Sequence, residues 1–205
     1  MLIYLSGPHG AGKTTLVQQL LHSNPKDLAV YPEDGFTFPK VEQPYYERLK
    51  AKLLRYYFES LDQGKQDQAG KVLLCNRCVY DSDAYINAYY SLGWINKKEK
   101  DDLQAIEELV FPSKPEAAII LNPSLGTLKK QLHHRWNQGT IKWNEENSDY
   151  LQAAHDAFQQ LCQETIVSAS LLYLTDETLE EKVNLIWDWL SSVRKVEKKE
   201  SQCQR

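Results

Sequence analysis

Hydrophobic positions follow two alternating patterns along the chain. Short apolar runs of strand length occur at Leu2–Ser6, Leu28–Tyr31, Val72–Cys75, Ala117–Leu121 and Leu171–Leu174. Between them, Lys13–His22, Glu42–Leu61, Asp81–Tyr90, Lys97–Val110, Ser124–His134, Tyr150–Leu161 and Leu179–Leu190 carry apolar residues at helical spacing. In the last of these, Leu179, Val183, Ile186, Trp187 and Leu190 share one stripe, which predicts that the helix packs on a sheet. Strands alternating with helices predict an α/β three-layer sandwich, a five-stranded parallel sheet with helices on both faces.

Polar stretches mark the joints. Asp62–Lys71 reads as a Gly-containing loop, and Asn137–Ser148, with Gly139 and few aliphatic residues, lies between two helices where a lid can hinge. Beyond Val193 the sequence loses all apolar period, so 194–205 reads as a charged, disordered tail. The expected organisation is one domain over residues 1–193, with a helical lid at about 132–148.

Composition narrows the class. With 205 residues and 42% hydrophobic content the chain can fill a single core. The 24 basic and 28 acidic residues leave a net charge of −4, which argues against a protein that holds nucleic acid by neutralising phosphates. Small anionic ligands still suit a local basic site. No apolar stretch reaches bilayer length and the opening apolar run meets Gly7 too early for a signal sequence, so a cytoplasmic location is expected. Cys75 and Cys78 form a C-x-x-C without a second pair at zinc-like spacing, and they read as reduced cysteines packed at a strand end.

The strongest chemical signal is Gly7-Pro-His-Gly-Ala-Gly-Lys-Thr14, which fits G-x-x-x-x-G-K-[ST] and stands directly between the first strand and the first helix. Gly7, His9, Gly10, Ala11, Gly12, Lys13, Thr14 and Thr15 are the expected nucleotide-binding residues. Glycines let backbone N–H groups turn onto phosphate oxygens, and the helix start adds its positive dipole end. Lys13 then bridges the outer phosphates and the Thr14 hydroxyl ligates Mg²⁺. ATP with Mg²⁺ is the cofactor pair this implies. Two other users of such a loop are disfavoured. Asn96-Lys-Lys-Glu99 lacks the final Asp of a base-reading GTPase motif, and the candidate strands end in Asn76 and Asn122, not in the acid of a water-activating ATPase.

Three further segments, taken with the phosphate loop, resemble the deoxynucleoside kinase and thymidylate kinase superfamily of P-loop kinases. Tyr31-Pro-Glu-Asp-Gly35 is similar to its Glu-containing strand end, with Phe38 in the place of an aromatic that lines the nucleoside pocket. Asn76-Arg-Cys-Val-Tyr-Asp-Ser-Asp-Ala-Tyr85 is similar to its acid-Arg segment, with Arg77 on the arginine and Ala84-Tyr85 on a following pair. Leu121 to Arg135, then Glu145-Glu146 and Tyr150-Leu151, looks like the strand, helix, basic lid and return helix that close over ATP. The resemblance covers about residues 2–190. It implies transfer of the γ-phosphoryl group of ATP to a nucleoside or nucleotide, and a helix-mediated homodimer. Lys13, Glu33, Arg77 and Arg135 take the catalytic roles it implies, with Phe38, Arg77, Tyr85 and Arg55 toward the acceptor. This sequence departs from the pattern at Asn76, which replaces an acid, at His9, where thymidylate kinases usually carry Asp, and at Pro32, where they usually carry Arg.

The acceptor is argued from chemistry. A nucleoside offers a neutral hydroxyl whose proton a carboxylate such as Glu33 can take, whereas a monophosphate is already anionic and needs cations. Only six arginines are present, two of them in the tail, which leans toward a nucleoside, and the resemblance implies a deoxynucleoside. A thymidylate-type monophosphate kinase is the alternative, and a regulatory nucleotide-binding protein with weak catalysis is a third reading. Each residue also has a plainer role open to it. Glu33 and Asp34 fit a solvated turn, Arg77 fits a structural ion pair, and His133, His134 and Arg135 fit a helix C-terminus favoured by its dipole. Tyr45, Tyr46, Arg48, Tyr56, Tyr57 and Phe58 divide between core and pocket, with core packing the default for any one aromatic at helical spacing.

Overall fold

The structure, a computed structural model, describes residues 1–31, 40–63, 71–111, 117–141, 143–165 and 171–203, with side chains as far as 163 and 193 in the last two segments. Glu33 and Phe38 lie outside the described residues. Five strands, β1 (Leu2–Ser6), β2 (Leu28–Val30), β3 (Val72–Asn76), β4 (Ala118–Leu121) and β5 (Leu171–Leu174), pair in parallel in the order β2-β3-β1-β4-β5. The helices are α1 (Lys13–Ser23), α2 (Tyr45–Gln63), α3 (Val79–Ser91), α4 (Lys97–Val110), α5 (Leu125–Trp136), α6 (Ser148–Thr165) and α7 (Leu179–Cys203). The expected five-stranded parallel sheet is present.

The central strands are buried on both faces, and their side chains alternate between two cores. Ile3, Leu5, Leu74, Ile119 and Leu121 pack with Leu16, Leu20, Val183, Ile186 and Leu190 of α1 and α7. Tyr4, Leu73, Cys75, Ala118 and Ile120 pack on the other side with Leu49, Tyr85, Tyr89, Tyr150 and Phe158 of α2, α3 and α6. Each fully buried Leu, Ile or Phe contributes about 1.5–3 kcal/mol relative to exposure. The predicted apolar stripe of α7 is thus a sheet-packing stripe.

Element ends differ from the sequence reading where capping decides them. α3 starts two residues early because the Cys78 N–H donates to Asp81 Oδ2 over 3.1 Å, satisfying a helix-start donor. Cys75 and Cys78 are both buried free thiols, and burial pushes the Cys75 thiol up to about 12, which suits packing and not redox chemistry. α7 runs on to Cys203, where the sequence reading expects a disordered tail, since Lys and Glu are strong helix formers even without an apolar stripe. Among the described residues no helix is long and apolar enough to cross a membrane.

The connections leaving β1 and β4 run to opposite sides of the sheet, to β2 and to β5. Their carboxyl ends therefore flank the switch point at which open α/β sheets bind ligands.

Candidate active site

At that switch point the chain passes from β1 into α1 through the glycine-rich loop. Gly7 has φ +145°, and a Cβ there would lie 2.2 Å from the Leu121 carbonyl oxygen, so only glycine lets the loop pass the end of β4. Gly12 caps α1 in the left-handed region at φ +84°. The first turn of α1 contains no acid to compete with an anion, and Thr14 and Thr15 are exposed on it. Lys13 lies buried across the loop, its Nζ donating to the Gly7 and Pro8 carbonyls at 2.6 and 2.8 Å. The loop thus folds around the lysine ammonium at the start of α1.

Arg77 follows β3 directly and adopts φ +72°, a left-handed conformation that costs a non-glycine residue about 1–3 kcal/mol. Two anchors hold it there: its N–H donates to the Leu5 carbonyl over 2.8 Å, and its guanidinium Nη1 donates to Asp81 Oδ1 over 2.8 Å. Asp81 is fully buried, and its other oxygen accepts from Ser6 Oγ at 2.7 Å, immediately before the phosphate loop. The expectation of a structural ion pair and that of a site residue both fit Arg77, which is partly exposed.

Lys52, on the inward face of α2, was missed by the sequence reading. Its ammonium stands 4.9 Å above the Tyr85 ring, and burial, followed by the nearby Arg48 and Arg77 charges, holds its pKa well below the usual lysine value. Arg48 stacks on Trp143 of the lid segment, its Cζ 3.7 Å from the ring centre. A visible signal was available, since Arg48, Lys52 and Arg55 recur every three or four residues along a face that also carries Leu49 and Leu53. Arg55 itself commits its Nε to Glu59 Oε1 at 2.7 Å. Tyr85 is buried against His9, Tyr150 and Phe158, so it joins the site and the core at once.

Arg135 ends α5 and pairs with Glu145, a fully buried residue. The other Glu145 oxygen meets His9 Nδ1 at 3.0 Å. Burial is the main cause that lowers His9 to about 3, and Arg77, Lys52 and Lys13 add to it, so the imidazole is neutral. His133 and His134 stay outside this arrangement: His133 meets the Trp136 ring, and His134 faces Gln138 on the surface. The structure therefore gathers Tyr85 and, through Glu145, Arg135 around His9, with the Lys13 and Arg77 charges near enough to act on its imidazole. Positive charge from Lys13, Arg48, Lys52, Arg77 and Arg135 gathers in a protein of net negative charge, as a polyphosphate site requires.

Comparison with solved structures shows the fold. Deoxyadenosine kinase from M. mycoides, solved with the products dCMP and dCDP, superposes with a TM-score of 0.73 at 14% identity, covering 94% of this chain and all of that one. The same enzyme with bound dATP gives 0.67 at 15% identity, covering 93% of this chain and all of that one. Thymidylate kinase from Candida albicans gives 0.59 at 15% identity, covering 94% of this chain and 92% of that one. No curated protein sequence matches the chain significantly. The sequence pattern described as "Deoxynucleoside kinase" matches residues 3–196. Because that match spans nearly the whole chain, the protein belongs to the deoxynucleoside kinase family and is a nucleoside or nucleotide kinase, a phosphotransferase.

Proposed function

We propose that the protein transfers the γ-phosphoryl group of ATP to the 5′-hydroxyl of a deoxynucleoside. The observation that carries this reading is the phosphate loop between β1 and α1, with Arg77 and Lys52 gathered beside it at the end of β3 and on α2. Backbone donors of residues 7–13 and the α1 dipole hold the phosphates, and Lys13 turns from the loop carbonyls to the outer phosphates. Among the described residues no cluster of three His, Cys, Asp or Glu side chains could hold a metal ion. The donor set thus fits Mg²⁺ carried in on nucleotide oxygens, with the exposed Thr14 hydroxyl as the protein ligand. Such an ion would supply charge neutralisation on the phosphates. Glu33 takes the hydroxyl proton, Arg77 orients the acceptor with Phe38, Tyr85 and Arg55 around it, and Arg135 meets charge that develops on the transferred group. The homodimer implied by the family resemblance belongs to the same proposal.

A second reading rests on one observation. Lys52 and Arg48 add cations beside Arg77 that the count of arginines understates, and an acceptor monophosphate would use them. Turnover with ATP and Mg²⁺ on a panel of deoxynucleosides, ribonucleosides and their monophosphates separates the two. Product from deoxynucleosides supports the first reading, and product from monophosphates alone overturns it.

A further inference from the structure

Glu145 is a carboxylate shut off from solvent, with no exposed side-chain surface. A charge in that position is costly unless its oxygens are met. Oε1 is met by His9 Nδ1 at 3.0 Å and Oε2 by the Arg135 guanidinium. The two partners come from different elements, His9 from the phosphate loop and Arg135 from the last turn of α5 at the lid. Glu145 precedes α6 and joins them.

The joint has a direction. A neutral imidazole carries one N–H, and with Nδ1–H given to Glu145 the lone pair sits on Nε2. His9 Nε2 is buried without a partner, and so is Arg135 Nε. Buried polar atoms without partners are uncommon and point to a ligand that completes them. Here one end is an acceptor and the other a cationic donor, which is the complement of a hydroxyl next to a phosphoryl oxygen.

We propose that Glu145 is a positioning residue for phosphoryl transfer, setting the tautomer of His9 and aiming the Nε edge of Arg135 so that lid and phosphate loop present both to the reacting groups. Glu145 acts through these two partners. The inference rests on the kinase reading for its reaction, and not for its geometry. An ion pair that merely stabilises the lid would add its loss to that of any other lid mutation. A positioning residue acts through its partner and shows non-additivity.

The test combines a double-mutant cycle with nuclear magnetic resonance. Glu145→Gln keeps the shape and should lower kcat at least about tenfold with KM for ATP changed less than about threefold, because misaimed groups lose transition-state contacts first. Glu145→Asp, which keeps the charge, should recover part of the loss. In an Arg135→Ala background, Glu145→Gln should cost at least about threefold less than it does in the wild-type background, because only its effect through His9 remains. Long-range ¹H–¹⁵N correlation on the wild-type protein should show His9 as the Nδ1–H tautomer. An Nε2–H tautomer overturns the inference without any variant, and so do additive kcat losses or a Glu145→Gln enzyme within about twofold of wild type. A wild-type protein with no turnover on any acceptor overturns the kinase reading and this inference with it, whereas turnover with additive losses overturns the inference alone.

Discussion

The guanidinium of Arg77 and the carboxylate of Asp81 stand 2.8 Å apart, one helical turn from each other, and hold between them a backbone in the left-handed region. Side chain and backbone can be separated by substitution. Arg77→Gly and Arg77→Ala both remove the guanidinium and leave the buried Asp81 with less compensation, but glycine adopts φ +72° freely. Arg77→Gly should therefore be about 1 kcal/mol more stable than Arg77→Ala in urea denaturation. Asp81→Ala leaves Ser6 Oγ, the Cys78 N–H and Arg77 without their acceptor and should cost about 3–5 kcal/mol. Equal stabilities for the two Arg77 variants would mean that the anchors, and not the side chain, set the backbone.

Lys13→Ala should remove catalysis while the fold persists. The ammonium is held by two loop carbonyls and not by apolar packing, so its loss leaves the two cores intact. We expect kcat to fall by about 10²–10³, the share of one well-placed electrostatic group, with an unchanged circular dichroism spectrum. Activity within about tenfold of wild type would remove the phosphate loop as the catalytic centre.

Glu33→Gln decides the acceptor. Against a nucleoside, loss of the proton acceptor should lower kcat by about 10²–10⁴ while binding survives through the amide. Against a monophosphate the attacking oxygen is already anionic, so the same change should be nearly neutral or tighten binding. Arg77→Ala gives the complementary pattern: it lowers kcat for a nucleoside and chiefly raises KM for a monophosphate. Steady-state kinetics on both acceptors reads all four values.

His9 makes stability depend on pH. An unfolded chain binds a proton at His9 near pH 6.5, whereas the folded protein holds the imidazole neutral down to about 3. Between those values the unfolded state binds more protons, so stability present above pH 6.5 is lost as pH falls. From pH 6.5 to 5, before most carboxylates titrate, the loss from this one group should reach about 2 kcal/mol. His9→Gln should flatten the slope of denaturation free energy over that window. An identical slope in the variant would place the proton elsewhere.

Much of the site was local in sequence and therefore legible. The phosphate loop is eight contiguous residues whose glycines dictate backbone shape, and it sits between a strand and a helix that their own patterns reveal. Lys13, Thr14 and the strand-end position of Arg77 follow from that local order, as do the five strands, whose apolar runs demand burial on both faces. The α1 and α7 stripes are equally local, because a 3.6-residue period needs no partner to be seen.

The rest depends on residues far apart in the chain. Asp81 accepts from Ser6, 75 positions away, and Glu145 meets His9 across 136 positions. Both acids lie in segments that carry the family resemblance, yet neither segment says what its acid meets, since a buried carboxylate is defined by what surrounds it and not by its neighbours in sequence. Lys52 illustrates the same point on one helix, because nothing local to α2 shows that its ammonium meets the Tyr85 ring of α3. Patterning along the chain determined the sheet, its helices and the phosphate cradle, which are set by local backbone preference and periodic burial. Which charges come together, and that His9 is held neutral, were decided only by tertiary packing, because burial and long-range pairing set those energies.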